Sequence, residues 1–139
     1  MPENDQRFLL TMDLAGIGTD IIEIARIKKA AERNGERFLM KVFTATERSF
    51  CEARQDRFAC YAARFAAKEA VLKAMGTGLA GARWTDVEIS RVGGDGPMVM
   101  LHGATAALAA EKGIAKILLS LSHDRSRALA FAVAVREEA

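Results

Sequence analysis

A chain of 139 residues, half of them hydrophobic, suits one compact domain with a full core. A net charge of +2 is too small to imply nucleic acid, and none is expected as a partner. The polar opening Met-Pro-Glu-Asn-Asp-Gln lacks the basic and long apolar regions of a signal peptide, and the longest apolar run, 128–135, is too short to cross a bilayer as a helix. No membrane contact and a cytoplasmic location are therefore expected.

Residues 1–12 read as a polar N-terminal arm and 13–139 as a single domain. A first strand is predicted over Leu9–Gly18, ending in Ala15-Gly16-Ile17-Gly18. Asp20 with Glu23 three residues on reads as a helix N-terminus; that helix runs to about Arg33 and closes at Asn34-Gly35. A short helix is predicted over Glu36–Val42. Thr44-Ala45-Thr46-Glu47 is a second capping signature, opening a helix to about Arg54 that Gln55-Asp56 breaks. A long helix follows from Arg57, with Gly76 as its C-cap and a glycine-rich loop to Gly81. Strands are predicted over Thr85–Arg91 and Met98–Leu101, joined by a turn at 93–97. A helix over Ala104–Lys112 precedes two closing strands, Lys116–Ser122 and Ala128–Arg136. In the last, Leu129, Phe131, Val133 and Val135 alternate with alanine. The layout is α+β.

Glu69 stands out. At about 100° per residue it falls within about 60° of Phe58, Phe65 and Leu72, on the apolar stripe of the long helix. A carboxylate there needs a partner, because burying an unpaired charge costs several kcal/mol. A metal ion is one such partner; pairing with Arg64, Lys68 or Lys73 is another. Asp20 has two readings, a helix cap or a ligand beside a glycine-rich strand end where an anion can approach. Two carboxylates plus phosphate oxygens suit Mg²⁺. Arg57, Arg64 and Lys68 align along one edge of the long helix, and Lys73 follows Glu69 by one turn. The row is either solvated charge or an anion site. Arg26, Lys29 and Arg33 share a face of the first helix, a solvated row or a docking strip for an acidic partner. His123 sits in the turn between the closing strands, placed to contact phosphate or act as a base; His102 is assigned no role. Cys51 and Cys60 match no metal or disulfide pattern and read as reduced and structural.

The segments 16–27, Gly-Ile-Gly-Thr-Asp-Ile-Ile-Glu-Ile-Ala-Arg-Ile, and 64–78, Arg-Phe-Ala-Ala-Lys-Glu-Ala-Val-Leu-Lys-Ala-Met-Gly-Thr-Gly, resemble the first two motifs of holo-acyl-carrier-protein synthase, the short-chain class of 4′-phosphopantetheinyl transferases. Leu119-Ser120-Leu121-Ser122-His123-Asp124 resembles the third. The resemblance runs from about residue 14 to 136. It implies a small antiparallel sheet packed on a long helix, a homotrimer, and transfer of the 4′-phosphopantetheine arm of coenzyme A to a serine of apo-acyl carrier protein. By that likeness Asp20 and Glu69 match the Mg²⁺ ligands, and Arg64, Lys68, Lys73, Gly76 and His123 match coenzyme A positions. Arg26 matches a position that docks the carrier. Glu69 is the expected proton acceptor, with Lys73 assisting the leaving group.

Two departures stand against the family pattern. Larger relatives carry a third carboxylate where this chain has Ile22, and many short-chain members carry Gly-Lys-Pro where it has Asp95-Gly96-Pro97, so that a lysine contact falls to Arg83 or Arg91 or is lost. The alternatives to a transferase are a non-catalytic module binding coenzyme A or acyl carrier protein, and a Mg²⁺-dependent pyrophosphatase. The lysines flanking Glu69 count against the first and the Arg26 row against the second.

Overall fold

Small side chains on one face of a sheet let a helix lie close to it, and this chain is arranged around that contact. The computed structural model describes residues 12–79, 81–91 and 96–137. The expected arm, apart from Met12, and residues 93–95 of the expected turn lie outside them. In chain order the elements are β1 (Met12–Glu23), α1 (Ile24–Asn34), α2 (Glu36–Val42), α3 (Ala45–Glu52), α4 (Arg57–Met75), a 3₁₀ turn (Trp84–Asp86), β2 (Val87–Ser90), β3 (Met98–Leu101), α5 (Gly103–Glu111), β4 (Ile114–His123) and β5 (Arg127–Glu137). The fold is α+β. One antiparallel sheet runs β1-β5-β4, and a second pairs β2 with β3.

The central helix α4 packs on β1 and β5. Ala62, Ala66, Ala67 and Ala70 on the helix are fully buried, and so are Ala128, Ala130, Ala132 and Ala134 on β5. The approach of β1 is closer still. A Cβ at Gly16 would lie 2.2 Å from the Ala74 carbonyl oxygen, and one at Gly18 would lie 2.1 Å from that of Ala70. Only glycine fits against helix backbone at those distances. On the far face of the same sheet the large side chains Leu14, Ile17, Ile21, Leu118, Leu129 and Phe131 are exposed. The cross-strand register stacks them in rows, Ile17 opposite Val133 opposite Leu118, and Ile21 opposite Leu129.

Two local signals read from the sequence hold in detail. Thr44 closes a capping box at the start of α3, its hydroxyl accepting from Glu47 N–H at 3.2 Å and Glu47 Oε1 accepting from Thr44 N–H at 2.8 Å. Gly76 ends α4 in the left-handed region at φ 73°, where glycine costs no strain. One expectation is overturned. The first strand does not stop at Gly18, and Asp20 does not cap a helix. β1 continues to Glu23, with Asp20 opposite Ala130 and Glu23 opposite Arg127, and α1 begins at Ile24. The β-branched Thr19, Ile21 and Ile22 pair with β5, and that ladder outweighs the local capping signature.

Candidate functional site

Asp20 on β1 meets Lys73 on α4, one turn beyond Glu69, because Gly16 and Gly18 bring the strand against the helix. The Lys73 ammonium donates to the Thr19 carbonyl at 3.0 Å and to Asp20 Oδ1 at 3.3 Å. Lys73 is about half exposed, while the Asp20 side chain retains 19% exposure. Glu69 is half-buried. Desolvation holds its carboxyl above the usual range; the negative charge of Asp20 pushes the same way and Lys73 offsets part of the rise. Two carboxylates thus share one ammonium, which leaves the cluster one positive charge short. Among the described residues no group of three or more His, Cys, Asp or Glu gathers, so this pair is the oxygen set in question. Mg²⁺ is commonly held by one or two carboxylates with waters and substrate phosphates completing its shell, and the pair fits that chemistry. Ile22 is buried in the core. Gly76 lies one turn beyond Lys73 and is exposed.

Arg64 and His123 lie elsewhere. They line a cavity of about 170 Å³ with Arg54, Cys60, Arg91 and Ser122. Arg64 is buried, its guanidinium 4.4 Å from the centroid of the Phe50 ring, and its Nη1 donates to Cys60 Sγ at 3.1 Å. Its buried Nε has no partner. His123 is exposed, with Nδ1 3.3 Å from the Asp124 carbonyl. Arg64 and Glu69 are about 140° apart around α4, so the two clusters face different directions. Arg26 lies on the exposed face of α1 with Lys29 and Arg33, opposite the buried Ile27.

Lys68 joins neither cluster. It is fully buried, its Nζ 2.9 Å from Glu47 Oε1, and it donates to the carbonyls of Trp84 at 3.2 Å and of Val87. Glu47 Oε2 accepts in turn from Ile89 N–H at 2.7 Å. Burial lowers the pKa of Lys68 and the Glu47 charge opposes that. With its three N–H donors engaged by Glu47, Trp84 and Val87, Lys68 has none to offer a phosphate. This corrects its expected place at a coenzyme A site. The row of Arg57, Arg64 and Lys68 is not one surface either: Arg57 alone is exposed, bound to Glu52 at 3.0 Å. Sequence reading missed Glu47 as the partner of Lys68. The available signal was a lysine set among alanines that all face the core. Arg54 was missed as well, and only the loop geometry brings it to the His123 cavity.

A model of the 4′-phosphopantetheinyl transferase superfamily matches residues 16–133. The chain belongs to that superfamily. All the candidate residues, from Asp20 to His123, fall inside the match. The chain is 53% identical over 122 residues to a holo-[acyl-carrier-protein] synthase of Desulforudis audaxviator, covering 88% of this chain and 93% of the relative. Among solved structures, the Plasmodium yoelii acyl carrier protein synthase with ADP bound superposes with a TM-score of 0.81 at 36% identity, over 91% of this chain and 98% of that one. The Helicobacter pylori holo-[acyl-carrier-protein] synthase in complex with coenzyme A gives 0.75 at 31% identity, over 85% and 98%.

Proposed function

We propose that this chain transfers the 4′-phosphopantetheine arm of coenzyme A to a serine hydroxyl of an apo-acyl carrier protein and releases adenosine 3′,5′-bisphosphate. The observation that carries the reading is the ion pair of Lys73 with Asp20 across β1 and α4, with Glu69 one turn before Lys73 on the same helix. Mg²⁺ bound by the two carboxylates would supply charge neutralisation at the pyrophosphate as the transferred phosphorus is attacked. Glu69 accepts the proton of the serine hydroxyl. Lys73 sits close enough to Asp20 to reach the same diphosphate and stabilises the departing bisphosphate. The identities shared with named synthases support the same reaction.

Coenzyme A is long and highly charged, and Arg64 and His123 offer it a second contact on a different side of α4. One chain alone does not bring that contact to Glu69. A second copy seated on the exposed apolar face of β1-β5-β4 would cover Ile17, Ile21, Leu129 and Phe131 and can complete the site between subunits, in a homotrimer. The basic row of Arg26, Lys29 and Arg33 faces solvent on α1 and suits an acidic carrier.

The test is to incubate the chain with apo-acyl carrier protein, coenzyme A and Mg²⁺ and weigh the carrier by mass spectrometry. Gain of one phosphopantetheine is expected. An unchanged carrier with intact coenzyme A would instead mean a binding module, and an unchanged carrier with cleaved coenzyme A a hydrolase.

A further inference from the structure

We propose that Phe65, backed by Trp84, seats the pantetheine arm of coenzyme A by packing against the branched apolar carbon next to the transferred phosphate. The inference rests on the transferase reading and adds to it a residue that recognises the group being moved.

α4 is closed almost all round. From Cys60 to Met75 every residue is buried except Phe65, Glu69 and Lys73. Successive members stand four residues apart, so they form one open stripe that spans about 80° of the helix surface, with neighbours about 6 Å from each other. Lys68 and Ala70 lie about 100° to either side of Glu69, and both flanks are walled. On the Ala70 side Gly18 puts β1 against the helix, and Asp20 pairs with Lys73. On the Lys68 side the Trp84 carbonyl accepts from Lys68 at 3.2 Å, and the Trp84 ring lies 5.1 Å from that of Phe65 with an interplanar angle of 35°. Phe65 and Trp84 are both half-buried. The stripe is therefore the floor of a trough, with a carboxylate on one wall and an aromatic residue on the other.

A single half-exposed aromatic residue needs no explanation by itself; its company does. Two of the open positions carry the charges that the proposed reaction uses, and the remaining one is apolar. Polarity along the trough thus runs from ammonium through carboxylate to aromatic ring. The polarity of the substrate runs the same way. In coenzyme A the leaving phosphate, the transferred phosphate and a carbon bearing two methyl groups follow in sequence, and only a methylene separates that carbon from the phosphate ester. With the leaving phosphate at Lys73 and the transferred one at Glu69, the methyl groups fall at Phe65, one helical turn on. The nucleotide end then lies beyond Lys73, on the side of the exposed Gly76. Burying the methyl groups against an aromatic ring removes apolar surface from water and favours binding.

Trp84 is the only tryptophan of the chain, so its fluorescence reports on this wall in the unaltered protein. With Mg²⁺ present, coenzyme A and 4′-phosphopantetheine should each shift the Trp84 emission. Adenosine 3′,5′-bisphosphate, which lacks the arm, should leave it unchanged. In equilibrium dialysis Phe65→Ala should bind coenzyme A about tenfold more weakly, the loss expected for two methyl groups, and should bind adenosine 3′,5′-bisphosphate as the wild type does. An emission that responds equally to coenzyme A and to the bisphosphate, one that responds to apo-acyl carrier protein alone, or equal losses for both ligands in Phe65→Ala would each overturn the proposal. The wild-type titration decides the matter even where Phe65→Ala fails to fold. A wild type that takes up neither ligand would remove the transferase reading as well, whereas firm binding of coenzyme A with a silent Trp84 would remove this inference alone.

Discussion

Lys68 and Glu69 are adjacent on α4 and carry their charges into different surroundings. Lys68 enters a closed node in which Glu47, Trp84 and Val87 take its donors and Thr44 and Ile89 donate to Glu47. Glu69 enters an open cluster in which two carboxylates share one half-exposed lysine. The closed node spends its hydrogen-bonding capacity on joining α3, α4 and β2. The open cluster keeps an excess of negative charge and room for a ligand. Charge satisfied from within a chain holds a fold together, and charge left short by the chain is where a ligand can act.

Breaking the closed node should have the largest effect on stability. Lys68→Met leaves the Glu47 carboxylate buried without its counter-ion, at a cost of about 3–5 kcal/mol in urea unfolding. Glu47→Leu combined with Lys68→Met should cost less than Lys68→Met alone, because no charge is then stranded. A double variant no more stable than the single one would show that the node acts through packing rather than charge.

The open cluster predicts the opposite pattern. Glu69→Gln keeps the shape but removes a metal ligand and the proton acceptor. Carrier modification should fall by about 10²–10³-fold, with an unfolding midpoint within the error of the wild type, since the native side chain is held in a destabilising environment by burial and by Asp20. Full turnover would remove Glu69 from the chemistry. A large loss of stability would make it part of the core.

How far these regions were legible from sequence follows from how local their causes are. The limits of α4, the Thr44 capping box and the Gly76 cap depend on residues within one or two turns, and each was readable. Asp20 was misplaced onto a helix because its capping signature is local while the ladder to Phe131, Ala130 and Leu129 is not. A helical wheel groups Lys68 with Arg64 but cannot show that Glu47 waits on another helix. The alternation of β5 showed a strand without showing its faces. The alanines, not the large residues, turn to α4, and Leu129 and Phe131 point outward.

That outward face supplies the next test. Phe131→Asp places a charge in the middle of the exposed row, opposite Ser120 and Thr19. Sedimentation should show the wild type as a trimer of 15.1 kDa chains and the variant shifted to monomer, with carrier modification lowered by at least about tenfold because the Arg64 side no longer meets a neighbour's Glu69. A wild type that sediments as a monomer yet modifies the carrier would show that one chain suffices.

The smallest effect belongs to a charge at the margin of the closed node. Glu88 accepts from the Thr44 hydroxyl at 2.7 Å and lies 2.9 Å from His102 Nε2, with 13% of its side chain exposed. The Thr44 bond, and then the His102 bond, hold its carboxyl below the usual range against the opposing effect of burial. A carboxyl whose folded pKa lies below its unfolded value adds stability above the unfolded value and loses it as pH falls through the folded one. Glu88→Gln should therefore cost below about 1 kcal/mol at pH 7 and progressively less as the pH falls below the ordinary carboxylate range. Urea unfolding of both chains at pH 7 and at pH 3.5 measures this as a converging difference. A difference that stays constant with pH would assign the role of Glu88 to its shape and not to its charge, and would leave the node with Lys68 and Glu47 as the ionised pair that decides its strength.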